Sequence, residues 1–311
     1  MPRHLPPSTQ SPTTLEDALP VDAFFRLLSL FSRKGWPHHA PNGEDGEDGV
    51  HPVFDAFCRM TARLHNQERE LVLKLAEDFL WKTLGDYGFL CSSALSKVDM
   101  PTWNNASRIF FVPLVHPKDL DKGKSGLELP RIAKLHAVPS IQGLQTAVQN
   151  RTLHCLESME ALARRWGERN GALIVFFDDF MGTGESALSA IEHYRTEVAV
   201  ESDTVIVVVL VGMEAGVYDV SHKACSVYTA RTVQKGISDN PSLDSTDKQA
   251  ASEIMREIEQ RIRVSRKHLF GYGSSEALVA LENTPNNTFP VFWTTTEVGG
   301  HSWPAPFPRA R

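Results

Sequence analysis

Leu173-Ile-Val-Phe-Phe-Asp-Asp-Phe-Met-Gly-Thr-Gly-Glu-Ser-Ala187 is the segment of this chain best equipped for chemistry. An apolar run leads into two adjacent carboxylates, Asp178 and Asp179. Two apolar residues follow, then Gly182-Thr183-Gly184-Glu185-Ser186, where the pattern turns helical. A loop entering a helix N-terminus offers unpaired backbone N–H groups and the positive end of the helix dipole, so it attracts an anion. Gly182 and Gly184 allow close backbone approach, while Thr183 and Ser186 add hydroxyl donors; a phosphate fits there. The aspartates, one turn earlier, are acceptors suited to the vicinal hydroxyls of a ribose or to a hydrated Mg2+ ion. The competing reading is a plain capped turn after a strand, with both aspartates solvated.

Such a loop needs a strand ending beneath it and a helix leaving it. The apolar runs Arg108–Val115, Leu173–Phe177 and Thr204–Val211 lack alternation, as do strands buried on both faces. Lys223–Thr229 follows as a further strand-like run. Helical patterns are expected at about 145–168, 185–195 and 246–266, the last with Ile254, Ile258 and Ile262 in register. Strands alternating with amphipathic helices predict an α/β fold with a mainly parallel sheet flanked by helices, whose ligands bind at the carboxyl ends of the strands. From 52 to about 96 the chain reads as helical. Asn66 caps a helix that carries Leu71, Leu75 and Phe79 at a four-residue spacing. The expected division is 1–50 as a flexible N-terminal segment and linker, 51–98 as a helical region and 99–311 as the α/β domain.

The order of strand, acidic pair, two apolar residues, Gly/Thr-rich turn and helix resembles the phosphoribosyl diphosphate motif of the type I phosphoribosyltransferases, at Phe177 through Ser186. The resemblance implies that Asp178 and Asp179 hold the ribose hydroxyls and Mg2+. It also implies that Gly182, Thr183, Gly184, Glu185 and Ser186 cradle the 5′-phosphate. That family binds pyrophosphate on a short loop after an earlier strand; here Lys122, Lys124, Ser125 and Gly126 stand in that place, with Arg131 just beyond. Some members carry an acidic residue three positions after the second aspartate as a base toward a purine, but this chain has Gly182. Glu185 is too close to the phosphate position for that role. Glu214, after the Thr204–Val211 run, is better placed, although a surface carboxylate is the simpler reading.

Asn283-Thr-Pro-Asn-Asn-Thr288 is turn chemistry between the strand-like runs Ala277–Leu281 and Phe289–Trp293. It suggests a hood-like hairpin over a planar base, flanked by Phe292 and Trp293; periodicity alone favours those aromatics facing the core. Together, the helical lead-in at 66–87, Gly-Lys-Ser-Gly, Asp-Asp-Phe-x-Gly-Thr-Gly and Asn-Thr-Pro-Asn-Asn-Thr-x-Pro resemble the phosphoribosyltransferase-like proteins of bacterial conflict (defence) systems, over roughly 52–295. That resemblance implies a type I phosphoribosyltransferase-like fold with an N-terminal helical extension and a C-terminal hood. Its implied ligands are phosphoribosyl diphosphate and a base or nucleotide-like acceptor, and its implied associations are a defence partner protein and a homodimer. Two functional classes follow, a phosphoribosyl-transferring enzyme or a regulatory subunit that senses phosphoribosyl diphosphate or a nucleotide without turnover.

Composition narrows the field. A net charge of -6 argues against a general nucleic-acid binder, and the basic stretch Arg256, Arg261, Arg263, Arg266 and Lys267 reads as a solvated face. No apolar run reaches the ~18–20 residues of a membrane helix. The N-terminus lacks a secretory pattern. Cys58, Cys91, Cys155 and Cys225 never form Cys-x-x-Cys, so reduced thiols and a cytoplasmic setting are expected, without zinc.

Overall fold

The computed structural model describes residues 19–40, 49–122, 125–149 and 151–309, without the side chains of residues 121, 122 and 125. Its centre is a five-stranded, wholly parallel sheet of β1 (Arg108–Pro113), β2 (Thr152–Cys155), β3 (Leu173–Met181), β4 (Thr204–Met213) and β5 (Val227–Val233). The strands lie in the order β2-β1-β3-β4-β5. Ile109 and Thr204 flank Leu173 in register.

The apolar runs resolve into two faces with a period of two. Ile109, Phe111, Val175, Phe177, Val208 and Leu210 point to one side, where α4 (Leu84–Leu95) and the helical stretch 129–149 cover them. Phe110, Val112, Ile174, Phe176, Val207 and Val209 point to the other, under α5 (Glu185–His193), α6 (Glu214–Lys223) and the Met159–Ala163 turn. Both faces are dry, which is why these strands show no polar alternation in sequence. Beneath the sheet's amino ends, the fully buried Arg169 pairs with Asp203, whose carboxylate also accepts from the Tyr194 hydroxyl at 2.5 Å.

A third core lies outside the sheet. Helices α1 (Val21–Lys34), α2 (Pro52–Ala62), α3 (Asn66–Asp78) and α7 (Ser245–Arg261) pack with the C-terminal stretch from Leu278 to Phe307. Arg261 on α7 donates two 2.6 Å hydrogen bonds to the carboxylate of Glu68 on α3. The Phe307 ring stacks on Phe79 at 5.0 Å and meets Trp81 at 5.3 Å and Phe57 at 5.7 Å. Leu80–Trp81 pairs in parallel with Val279–Ala280, joining the helical layer to the C-terminal segment.

Several local expectations change. Within the N-terminal segment, the short apolar pattern over 15–34, which allows one helix, falls on α1, where Leu27, Leu30 and Phe31 are buried at i, i+3 and i+4 and cover the α2–α3 surface; residues 1–18 and 41–48 lie outside the described residues. The helix expected over 145–168 is interrupted by β2, an edge strand whose half-exposed residues give no buried-strand signal. The last strand is Val227–Val233 rather than Lys223–Thr229. Asn66 is the first helical residue of α3, and His65 stands at the cap. The C-terminal hairpin is not antiparallel. Ala277 bridges Thr288 in parallel, Pro290–Phe292 is a short 3-10 turn, and Val279–Ala280 pairs with Leu80–Trp81. Among the described residues no helix is long and apolar enough to cross a membrane.

Phe307→Ala empties a ring-sized space among Trp36, Phe57, Phe79 and Trp81. It is expected to cost about 3–5 kcal/mol, read as a lower urea midpoint with an unchanged slope.

Candidate functional site

Sheet order reverses between β1 and β3, so the connections after these strands leave in opposite directions and open a crevice at their carboxyl ends. Asp178 and Asp179 belong to β3 itself, and Gly182–Gly184 turns the chain into α5. Asp179 shares a strand face with Val175 and Phe177, the side covered by α4. There the buried Tyr87 hydroxyl lies 3.1 Å from Asp179 Oδ2 and donates to it. Burial first, then the Asp179 charge, push the Tyr87 phenol upward, so it keeps its proton. The same hydroxyl accepts from the Glu282 backbone N–H at 3.3 Å, which links the acidic pair to the C-terminal segment. Asp178 Oδ1 accepts from the Asp179 backbone N–H at 2.9 Å.

These residues floor a cavity of about 440 Å³. Asp178, Asp179, Gly182, Thr183, Gly184 and Ser186 line it together with Asp119 from the loop after β1 and with Tyr272, Asn283–Asn287 and Arg309 from the C-terminal part of the chain. Glu185 is not in the lining, and its carboxylate accepts from the hydroxyl of Tyr272, which is, at 3.0 Å. The helix behind the loop starts at Glu185 with Gly184 as N-cap in the left-handed region (φ 82°). The loop amides therefore sit at the positive end of a nine-residue helix facing the cavity.

The loop after β1 reaches the same place. A Cβ on Gly126 would stand 3.1 Å from Asp178 Oδ1, so this glycine packs directly on the acidic pair. Lys124 lies outside the described residues, as do the side chains of Lys122 and Ser125; Arg131 is exposed on the helix that follows.

Two glycines are fixed by close approach. A Cβ on Gly216, at the start of α6, would fall 2.0 Å from the Gly182 carbonyl oxygen, and one on Gly182 would fall 2.3 Å from the Asn287 side chain. The position where an acidic base would stand is thus filled by Asn287, whose Nδ2 donates to Ser275 Oγ at 2.8 Å and to the Tyr272 carbonyl at 3.2 Å. Glu214 is also remote from this chemistry. It accepts from Gln234 Nε2 at 3.0 Å and borders a second cavity of about 420 Å³ over β4 and β5. Phe292 is buried in the helical core, and Trp293 donates its indole N–H to the Thr288 carbonyl at 2.7 Å. The hood surface is made instead by the Asn/Thr/Pro turn between the two apolar runs.

Sequence reasoning missed Tyr87, Asp119, Tyr272 and Arg309. Tyr272 stands in Gly-Tyr-Gly, a pattern that marks a turn; Tyr87 looks like any core residue of a helix. Of the basic stretch near 256–267, Arg261 is held by Glu68, and Arg256 lies over the Phe270 ring at 5.6 Å.

A parallel sheet in this order, carrying an acidic pair at the end of its third strand and a glycine/threonine loop into the next helix, is the design of the type I phosphoribosyltransferase-like proteins. The chain belongs to the PRTase-CE family, whose sequence profile matches residues 77–309. No curated protein matches it. Among solved structures it is distantly similar to a hypothetical protein from Neisseria gonorrhoeae with bound ppGpp, at 12% identity and a TM-score of 0.31, covering 56% of this chain and 94% of that one. It is also distantly similar to orotate phosphoribosyltransferase from Aeropyrum pernix, at 15% identity and a TM-score of 0.27, covering 66% and 93%.

Gly182→Ala is expected to push Asn287 from its place and lower stability by about 1–3 kcal/mol, measured by urea unfolding. A second expectation concerns the support of the Tyr272 loop. Glu259 is fully buried on α7, and its Oε2 accepts from the Phe270 N–H at 2.7 Å. Burial raises its carboxyl, the Phe270 amide lowers it and Glu276 raises it again, leaving it at about 8 against an ordinary 4.5. The folded state then holds a proton that the unfolded chain releases. Its contribution is complete below about pH 4.5, falls as pH rises, and is lost above about 8. Glu259→Gln should flatten that fall, which is at most about 1.4 kcal/mol per pH unit, in unfolding series between pH 5 and 8.

Proposed function

We propose that this protein binds phosphoribosyl diphosphate with Mg2+ in the cavity between β3 and the hood, and transfers the phosphoribosyl group to a base or nucleotide-like acceptor. The observation that carries this reading is the convergence of Asp178, Asp179, the α5 amide loop and Gly126 on one crevice. In it the ribose hydroxyls donate to Asp178 and Asp179, with Tyr87 fixing the rotamer of Asp179. The 5′-phosphate takes the amides and hydroxyls from Gly182 to Ser186, and the diphosphate lies toward the Lys122–Gly126 loop.

Among the described residues no three His, Cys, Asp or Glu side chains converge as metal ligands. Asp178 and Asp179 therefore suit Mg2+ in the mode where substrate and water supply most of its oxygens. When bound, the ion would offset charge on the diphosphate. In transfer, the bond from the anomeric carbon to the diphosphate oxygen breaks and its electron pair leaves with the diphosphate. An acceptor nitrogen bonds that carbon and loses its proton to solvent. The chain's part is to orient the ribose and to exclude water beneath the hood.

One observation favours the sensing alternative, in which the ligand is held without turnover: Asn287 occupies the space next to Gly182 where a base would stand. We also propose, on the motif resemblance alone, a place in a bacterial anti-phage defence system beside a partner protein.

Thermal unfolding with phosphoribosyl diphosphate and Mg2+ tests the binding. At 100 times the dissociation constant the wild type should gain roughly 2.7 kcal/mol, and Asp178→Asn/Asp179→Asn should lose that gain. No shift in the wild type refutes the reading. Pyrophosphate release on adding acceptors separates transfer from sensing.

A further inference from the structure

The cavity's hood carries two polar groups that the phosphoribosyl reading leaves unused. Among the described residues, Arg309 is the single cation in a lining that also holds Asp119, Asp178 and Asp179. Its Nε is buried without a hydrogen-bond partner, and no carboxylate among the described residues pairs with its guanidinium. Asn283 Oδ1, in the same lining, is likewise buried without a partner. Buried donors and acceptors left unpaired by the protein are costly unless a ligand satisfies them.

Their placement is built rather than incidental. Two residues before Arg309, the Phe307 ring is locked among Phe57, Phe79 and Trp81, and its backbone N–H donates to the Phe292 carbonyl at 2.9 Å. The Phe307 carbonyl accepts from Thr284 Oγ1 at 3.0 Å, next to Asn283. The guanidinium lies 5.5 Å from the Trp293 ring centroid, and that ring is fixed by its own bond to Thr288. Trp293 thus orients the planar fork without neutralising it.

We infer that Arg309 and Asn283 form an acceptor subsite, and that the acceptor is an anion. It bears a carboxylate or phosphate for the Arg309 fork and an N–H for Asn283 Oδ1. The inference rests on the proposed phosphoribosyl reading for what fills the other half of the cavity. The cavity is then polarised, with sugar and diphosphate chemistry at the aspartate end and oxyanion recognition at the hood. A neutral base would leave the fork unpaired, so discrimination comes from the loss of a charge-assisted pair.

The test uses matched probes differing by one oxyanion: uracil-6-carboxylate (orotate) against uracil, and adenosine 5′-monophosphate against adenosine. Binding is measured by calorimetry on the full chain with saturating ribose 5-phosphate, which occupies the α5 loop and keeps a probe phosphate off it. In at least one pair the anionic member should bind about ten-fold tighter or more, and Arg309→Gln should bring that ratio near one. The pair that responds tells a carboxylate from a phosphate. Should Arg309→Gln fail to fold, Arg309→Lys, which keeps an aliphatic stem beside Trp293, should lower the ratio at least three-fold. Equal binding within both pairs, binding of neither anion, or a ratio that survives these substitutions overturns the inference. Ribose 5-phosphate is read separately. If it fails to bind while the anion preference persists and depends on Arg309, the phosphoribosyl reading falls and the anion subsite stands.

Discussion

The approach of α6 to the loop after β3 is the contact on which the arrangement of the site depends. Backbone meets backbone there: the Gly182 carbonyl occupies the space that any side chain on Gly216 would need. Such an approach lets two helices, α5 and α6, start side by side at the carboxyl end of the sheet. It also leaves Gly182 open on its other side, where Asn287 enters. One glycine pair therefore sets both the aim of the anion-binding amides and the height of the hood above them.

From this contact the division of labour follows. Parallel strands buried on both faces leave Asp178 and Asp179 little freedom, since β3 is paired with β1 as far as Phe177 and with β4 as far as Met181. The strand's period of two sends Asp179 toward α4, so a helix from the N-terminal region contributes Tyr87 to a site otherwise made by the α/β layers. The hood draws its rigidity from a different source, the aromatic core shared by α2, α3 and the C-terminal stretch. Floor and roof thus belong to separate hydrophobic cores, and the Tyr87 hydroxyl, bonded to Asp179 and to the Glu282 amide, is a direct polar tie between them.

Much of this was legible in the sequence where the signal is local. Unbroken apolar runs gave three of the five strands, and the run from Phe177 to Ser186 marked the acidic pair and its loop, because strand, turn and helix start are encoded by adjacent residues. The motif Asn283–Thr288 is also visible, and periodicity already favours Phe292 and Trp293 facing inward, where Phe292 joins the core and Trp293 bonds the Thr288 carbonyl. What escaped depends on contacts between distant segments. Tyr87 has the pattern of a core residue until β3 is laid beneath it, and Arg309 has no periodic context at all. The edge strand β2 falls within a helical pattern in the sequence because half-exposed edges lack the burial pattern that betrays inner strands. Adjacency places Glu185 in its loop, and only the fold shows that its carboxylate is held by the Tyr272 hydroxyl.

The locking of Phe307 into the α2–α3 aromatic cluster has a consequence for assembly during synthesis. The cavity floor has all its parts once β4 and α6 have followed β3 and α5, but its roof is set by residues made much later, and they must dock on helices made much earlier. Contacts of such long sequence separation form late and slowly. The nascent chain consequently passes through a stage with a folded sheet, an exposed acidic pair and a helical layer still missing its aromatic plug. Competence to enclose a ligand arrives in one late step, when the strand of chain through residue 307 seats in that layer.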